Sequence, residues 1–187
     1  MVKKSVLDTV TAMIKRHEGA VNHLYLDSRG NVTFGYGFRP PLNRYHWHPS
    51  LQHAIADAVV LGDMQHDYQK YTARYYKRFT RAYMTPEDMQ AVLDQKVAEY
   101  ARQVDRDWDL ARFPECVQIA LIDMGYNLGV TKLRGYVKMR AALDAGDFFE
   151  AALQSHRGGI GDRRNEETSD LILQAHKEDP MITPLDA

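Results

Sequence analysis

Residues 17–37, HEGAVNHLYLDSRGNVTFGYG, constrain the fold more tightly than any other stretch of the chain. Before them Val6, Val10, Met13, Ile14 and His17 form an apolar stripe at helical spacing, which predicts a helix over about Val6–His17 that Gly19 stops. The period then changes. His23–Leu26 and Val32–Tyr36 read as two short strands, joined by the turn-forming run Asp27-Ser28-Arg29-Gly30-Asn31. A helix that gives way at once to a hairpin brings together Glu18 at the helix end, Asp27 at the turn and Thr33 on the returning strand. Arg39-Pro40-Pro41 ends the sheet region, because proline offers no ladder N–H.

Helices dominate the rest. Thr85-Pro86-Glu87-Asp88 is a helix start, with a capping hydroxyl, proline in the first turn and acids at the positive end of the dipole. Its stripe is Met89, Val92, Leu93, Val97, Tyr100 and Val104. A further helix starts at Pro114, buries Val117, Ala120, Leu121 and Met124, and bends or ends across residues 125–129. Helices near 133–144 and 147–155 flank Gly146, and the loop Arg157-Gly158-Gly159-Ile160-Gly161 leads to a last helix through Leu171 and Ile172, with a frayed tail after Pro180. In residues 40–84, Pro49-Ser50 can open a helix, and Tyr68, Tyr71, Tyr75, Tyr76 and Phe79 recur at helical spacing among Lys and Arg. Such a stretch could stack bases or sugar rings, but an amphipathic helix with its tyrosines in the core is preferred. The fold class is α+β, predominantly helical. One domain spans 1–187, with a small sheet lobe over about 18–80 that includes an inserted helical segment, and a helical lobe over about 81–180.

At 187 residues the chain has room for one substantial core. No run of about 20 apolar residues exists, so no membrane span is expected. The start, MVKKSVLDTV, lacks an apolar signal core, which predicts synthesis in the cytoplasm without a signal peptide. Cys116 has no partner for an internal disulfide and reads as a buried small hydrophobe. His46, His48 and His53 cluster, yet no Cys or nearby acid completes a zinc spacing, so no metal is expected. Charge is uneven: residues 1–83 carry twelve Lys/Arg against six Asp/Glu, and residues 84–187 twelve against nineteen. A basic first half suits an anionic polymer, or is a chance imbalance of solvated faces.

Glu18 sits at the negative end of its helix dipole and is expected to be partly buried against Leu24 or Tyr25, both of which favour a protonated carboxyl. Asp27 is expected to be ionised and to activate a water that Thr33 holds. Two carboxyls roughly 6.5–9.5 Å apart with a water between them form the inverting glycosidase arrangement. Each residue also has an ordinary reading as a solvated helical Glu, a turn Asp or a strand Thr. Gly35 and Gly37 either admit a ligand close to the backbone or relieve strain at a bend.

The combination Glu18-Gly19, Asp27 and Thr33-Phe34-Gly35-Tyr36-Gly37 resembles the phage-type lysozymes, glycoside hydrolase family twenty-four. Similarity resumes over Met84–Val104, in Ala120-Leu121-Ile122-Asp123-Met124-Gly125-Tyr126-Asn127-Leu128-Gly129, and in Phe149-Glu150-Ala151-Ala152, leaving out roughly residues 40–80. The resemblance implies a lysozyme-like fold and hydrolysis of the β-1,4 bond between N-acetylmuramic acid and N-acetylglucosamine in peptidoglycan. Glu18 would be the acid, Asp27 the base and Thr33 the water-holder, with no cofactor. Gly37, Phe38, Tyr126, Asn127 and Gln154 fall at glycan-contacting positions. The family usually has His after Gly37, and Phe38 here is expected to alter a structural contact, while the longer 40–80 region reshapes the cleft or binds a partner. Arg163-Arg164 with Glu167 resembles the family's closing pair and reads as packing between lobes. The implied settings are a phage endolysin released through a holin, or an antibacterial effector delivered by a secretion machine and countered by an immunity protein. Either would be a monomer acting at the cell wall or periplasm. The rival reading is a non-catalytic lysozyme-fold module that binds murein or a protein, and nucleic-acid binding is not expected.

Overall fold

The computed structural model describes residues 2–39, 61, 71–81 and 83–178. The chain forms two compact units, one of Ile14–Gln95 and the other of Met1–Met13 with Lys96–Ala187. Among the described residues the structure is mostly helical with one two-stranded antiparallel sheet, an α+β fold.

Helix α1, Lys4–Glu18, buries the predicted stripe Val6, Val10, Met13 and Ile14. It ends one residue past the expected stop, and Gly19 then takes a φ of 65°, a left-handed value that glycine adopts without steric penalty. Strand β1, Val21–Leu26, pairs with β2, Val32–Gly35, so that Tyr25 faces Thr33 and Leu26 faces Val32. Leu24, Leu26 and Phe34 are buried beneath the pair. A short helix α2, Ala73–Tyr76, and a 3-10 turn, Lys77–Phe79, pack on β1. The buried His23 fixes that contact: its Nε2 donates to the Ala73 carbonyl at 2.9 Å. The backbone N–H of Met84 donates to the Asn22 carbonyl at 2.9 Å.

Helix α3, Pro86–Trp108, opens on a reciprocal cap. Asp88 N–H donates to Thr85 Oγ1 at 3.1 Å and Thr85 N–H to Asp88 Oδ2 at 3.4 Å, so two otherwise orphaned donors are satisfied. Its predicted stripe is buried except for the half-buried Tyr100. After a 3-10 turn at Leu110–Arg112 come α4 (Glu115–Leu128), α5 (Val130–Leu133), α6 (Val137–Asp144), α7 (Phe148–Gln154) and α8 (Asp162–Glu178). Helices α4 and α7 pack on α8, and α6 packs on α7. Helix α4 is buried from Cys116 nearly all round, as befits the centre of a helical core. Gly125 lies inside it: a Cβ there would stand 2.6 Å from Val104 Cγ2, so the glycine permits close helix packing, and Gly129, with φ 84°, is the stop.

Buried in this core is a charge. Asp123 is fully inaccessible, and Arg157 Nη1 donates to its Oδ2 at 3.0 Å while Arg164 Nη2 donates to its Oδ1 at 2.7 Å. Arg157 also donates to Asn165 Oδ1, the Arg164 carbonyl and Thr168 Oγ1. Burial pulls the Arg157 guanidinium below its usual range, and the Asp123 charge opposes this. Arg164, expected to pack between lobes, is therefore tied to α4 within its own unit.

Two further expectations change. The helix expected near 133–144 starts only at Val137, as α6, and the turn at residues 134–136 separates it from the short α5. Among the described residues the tyrosine stretch forms four helical residues and a 3-10 turn, with Tyr76 buried but Tyr71 exposed. The Pro49-Ser50 helix start, the histidine cluster, Tyr68 and the tail after Pro180 lie outside the described residues. No helix among the described residues is long and apolar enough to cross a membrane.

Removing one partner of a buried ion pair leaves the others uncompensated, so Asp123→Ala should lower the unfolding free energy by about 3–5 kcal/mol. Thr85→Ala, which removes a cap, should cost about 1 kcal/mol. Urea denaturation of both variants checks the ordering, and a cost for Asp123→Ala no larger than the cap's would contradict it.

Candidate active site

Asp27 is held by the turn that it closes. Its Oδ1 accepts from the Arg29 N–H at 2.8 Å, the Asn31 N–H at 2.9 Å and Asn31 Nδ2 at 3.1 Å. Its Oδ2 accepts from Asn31 Nδ2 at 3.1 Å and from Arg39 Nη2 at 3.3 Å. Below these bonds Asp27 N–H donates to the Asn31 carbonyl at 2.9 Å and Gly30 N–H to the Asp27 carbonyl at 3.0 Å. Partial burial alone would raise the carboxyl's pKa. The Asn31 and Arg29 N–H groups, the Asn31 amide and the Arg39 charge outweigh it and hold Asp27 below the usual carboxylate range.

The same Asn31 carbonyl also receives the Thr33 hydroxyl, at 2.9 Å, so Asp27 and Thr33 are linked through one peptide group. Thr33 is buried opposite Tyr25 on the hairpin. With its proton committed, the hydroxyl oxygen is left to act as an acceptor.

Glu18 closes α1 and is exposed, so the partial burial expected for it is not found. Its carboxyl is placed by the glycine motif. Phe34 and Phe38 exchange N–H···O bonds of 2.9 Å in both directions, and Gly35-Tyr36-Gly37 reverses the chain between them, with φ of 59° at Gly35 and 81° at Gly37. A Cβ at Gly37 would lie 3.3 Å from Glu18 Oε2. The glycines thus make the bend, as one of the two sequence readings has it, and a side chain at Gly37 would crowd the Glu18 carboxyl. Phe38 is buried, with its ring 5.7 Å from Phe34 and 6.4 Å from Tyr36, and it braces the reversal.

Tyr25 gathers the trio, and sequence reasoning gave it no role of its own. It is the strand partner of Thr33, and burial, then the charges of Asp27 and Glu18, push its phenol above the usual range. It stays a neutral hydroxyl beside two carboxyls. Asn31 and Arg39 were missed as well. The Asp-Ser-Arg-Gly-Asn turn could have pointed to Asn31, whereas nothing local marks Arg39.

The remaining candidates belong to the other unit. Tyr126, in the last turn of α4, lies 5.4 Å from Tyr100, ring to ring. Asn127 Oδ1 is buried with no hydrogen-bond partner among the described residues. Gln154, at the end of α7, donates to Glu150 Oε1 at 2.9 Å. No group of three or more His, Cys, Asp or Glu side chains among the described residues could hold a metal ion.

A mostly helical α+β scaffold in which an acid at a helix end precedes a hairpin that carries a hydrogen-bonded carboxylate and a buried hydroxyl has the layout of a lysozyme-like protein. The phage lysozyme family model matches residues 15–167, and the chain belongs to that family. Membership supports a role in peptidoglycan hydrolysis, the work of a muramidase. No curated protein matches the chain.

Asn31→Ala removes two bonds to Asp27 and should raise its pKa. Because folding lowers this pKa, the stability contributed by Asp27 is present above the unfolded carboxyl's pKa and is lost as pH falls through the folded value. In the variant that loss should be smaller and should be complete at a higher pH. Carboxyl-carbon NMR titration reads the shift directly, and an unmoved Asp27 would refute the assignment. Gly37→Ala forces a left-handed φ on alanine and crowds Glu18, and should cost about 1–2 kcal/mol of stability in thermal unfolding.

Proposed function

We propose that the protein hydrolyses the β-1,4 bond between N-acetylmuramic acid and N-acetylglucosamine, with Glu18 as general acid, Asp27 as the base that activates water and Thr33 as the residue that holds it. The observation that carries this reading is the Asp27 environment. Five hydrogen bonds from four donor groups keep the carboxylate ionised, and three of them fall on Oδ1. Oδ2, with two longer contacts, is the oxygen better able to take a proton from water. Thr33 Oγ accepts the water's other hydrogen, which orients a lone pair toward the anomeric carbon. Glu18, at the Gly-X-Gly reversal, protonates the leaving glycosidic oxygen as the C–O bond breaks. In the inverting arrangement a water between the two carboxyls attacks directly, with no covalent intermediate.

Gly37 contributes through its backbone, which faces Glu18. Phe38 contributes through the shape of the reversal that it braces. Tyr126, Asn127 and Gln154 are the glycan contacts that family resemblance assigns to the helical unit. The protein acts as a monomer on the wall, as an endolysin released through a holin or as a delivered effector opposed by an immunity protein.

Murein zymography with Glu18→Gln and Asp27→Asn tests the assignment. Each variant should lose about 10²–10⁴-fold in rate, the usual size of a general acid–base contribution. Clearing by Glu18→Gln equal to wild type would rule out its role. Murein binding with no clearing by wild type would favour the non-catalytic module.

A further inference from the structure

The segment 71–83 is the most concentrated basic stretch of its unit. It carries Arg74, Lys77, Arg78 and Arg81, with no acid between Asp67 and Glu87. Its helix and 3-10 turn pack on β1, the strand that runs to Asp27. Within it, aromatic rings and cations form a column. The Tyr71 and Tyr75 rings lie 3.7 Å apart and within 6° of parallel, and the Arg78 guanidinium stands 4.5 Å from the Tyr75 centroid. Tyr76 and Phe79 brace Tyr75 at 5.5 Å each, tilted to it by 86° and 56°. Lys77 lies 5.9 Å from the ring of Tyr83. Tyr71 and Tyr83 keep 36% and 44% of their surface exposed.

The charges are as telling as the rings. Lys3, Lys4, Lys96, Arg112 and Arg134 all meet carboxylates. Arg74, Lys77 and Arg78 meet none among the described residues. A core helix with inward tyrosines would need neither an exposed flat ring nor, beside it, three cations that meet no carboxylate among the described residues.

We infer that this column is a second carbohydrate-holding surface, separate from Glu18, Asp27 and Thr33, that takes an anionic amino-sugar polymer. The inference rests on the murein reading of the site. A pyranose lays its apolar C–H face on the exposed part of Tyr71, and the carboxylates of the polymer's peptide stems meet Arg74 and Lys77. Such a surface retains the protein on an insoluble strand between cuts. Nucleic acid is the poorer fit, because a chain of pI ≈ 6.7 and net charge −1 lacks the strong positive charge of such binders. An anionic membrane is poorer too: the segment exposes tyrosines but no Trp, Leu or Ile anchor, and the exposed Val137, Phe149 and Leu153 belong to the other unit.

The test is equilibrium binding of the full chain carrying Glu18→Gln to purified peptidoglycan sacculi stripped of attached polymers. Adding Tyr71→Ala, Arg74→Gln and Lys77→Gln together should weaken binding about tenfold or more. Arg74→Glu with Lys77→Glu, which leaves the rings in place, should weaken it too. Raising salt from about 0.05 to about 0.5 M should weaken the Glu18→Gln protein more than the quadruple variant. Unchanged affinity in both sets of variants would overturn the inference, as would tighter binding to anionic phospholipid vesicles or duplex DNA than to sacculi. Muropeptide release by wild type, measured alongside, separates the failures. Release with affinity indifferent to the column sinks this surface alone, and no release sinks the hydrolase reading and the surface with it.

Discussion

One carboxylate does two jobs in the small unit, and the rest of its geometry follows from that. The N–H groups of Arg29 and Asn31 would otherwise need solvent; instead both donate to Asp27, which closes the hairpin and stabilises the anion with the same bonds. The Asn31 carbonyl returns the favour by fixing the Asp27 N–H and the Thr33 hydroxyl. Fold and charge state are therefore not separable here. A change that loosens the turn also makes the carboxyl easier to protonate.

The helical unit solves a different problem, that of a charge in a dry core. Asp123 on α4 is engaged by Arg157 and by Arg164 of α8, and directional bonds of this kind fix how those elements meet in a way that apolar contacts alone do not. Close approach of α4 to α3 depends in turn on Gly125, where any side chain would collide with Val104. Glycine serves opposite ends in the two units: in the helix it removes bulk, while at Gly35 and Gly37 it supplies left-handed backbone.

Much of this was legible in the chain. The stripe from Val6 to Ile14, the Thr85 cap and the hairpin around residues 27–31 were read correctly because they depend on local periodicity and turn chemistry. Long-range partners were not legible. Nothing near Arg164 in sequence announces Asp123, and nothing near Arg39 announces Asp27. The exposure of Glu18 was misjudged because helix-end burial depends on tertiary neighbours. In the tyrosine stretch the helical spacing matched Ala73–Tyr76 and the buried Tyr76, whereas the exposure of Tyr71 was not legible, because a buried stripe and a stacked pair share that spacing. For the site, Glu18, Asp27 and Thr33 stood out as a pattern, whereas Tyr25, which faces Thr33 and feels both carboxyls, looked like an ordinary strand aromatic.

The central claim is direct attack by a water that Asp27 activates while Glu18 protonates the leaving sugar. The most direct measurement is proton NMR of the anomeric configuration at the newly released muramic acid end, taken before mutarotation. Inversion of the β-linkage to an α product is the result expected of this chemistry. A β product, or a 1,6-anhydro end with no hydrolytic product, would contradict it.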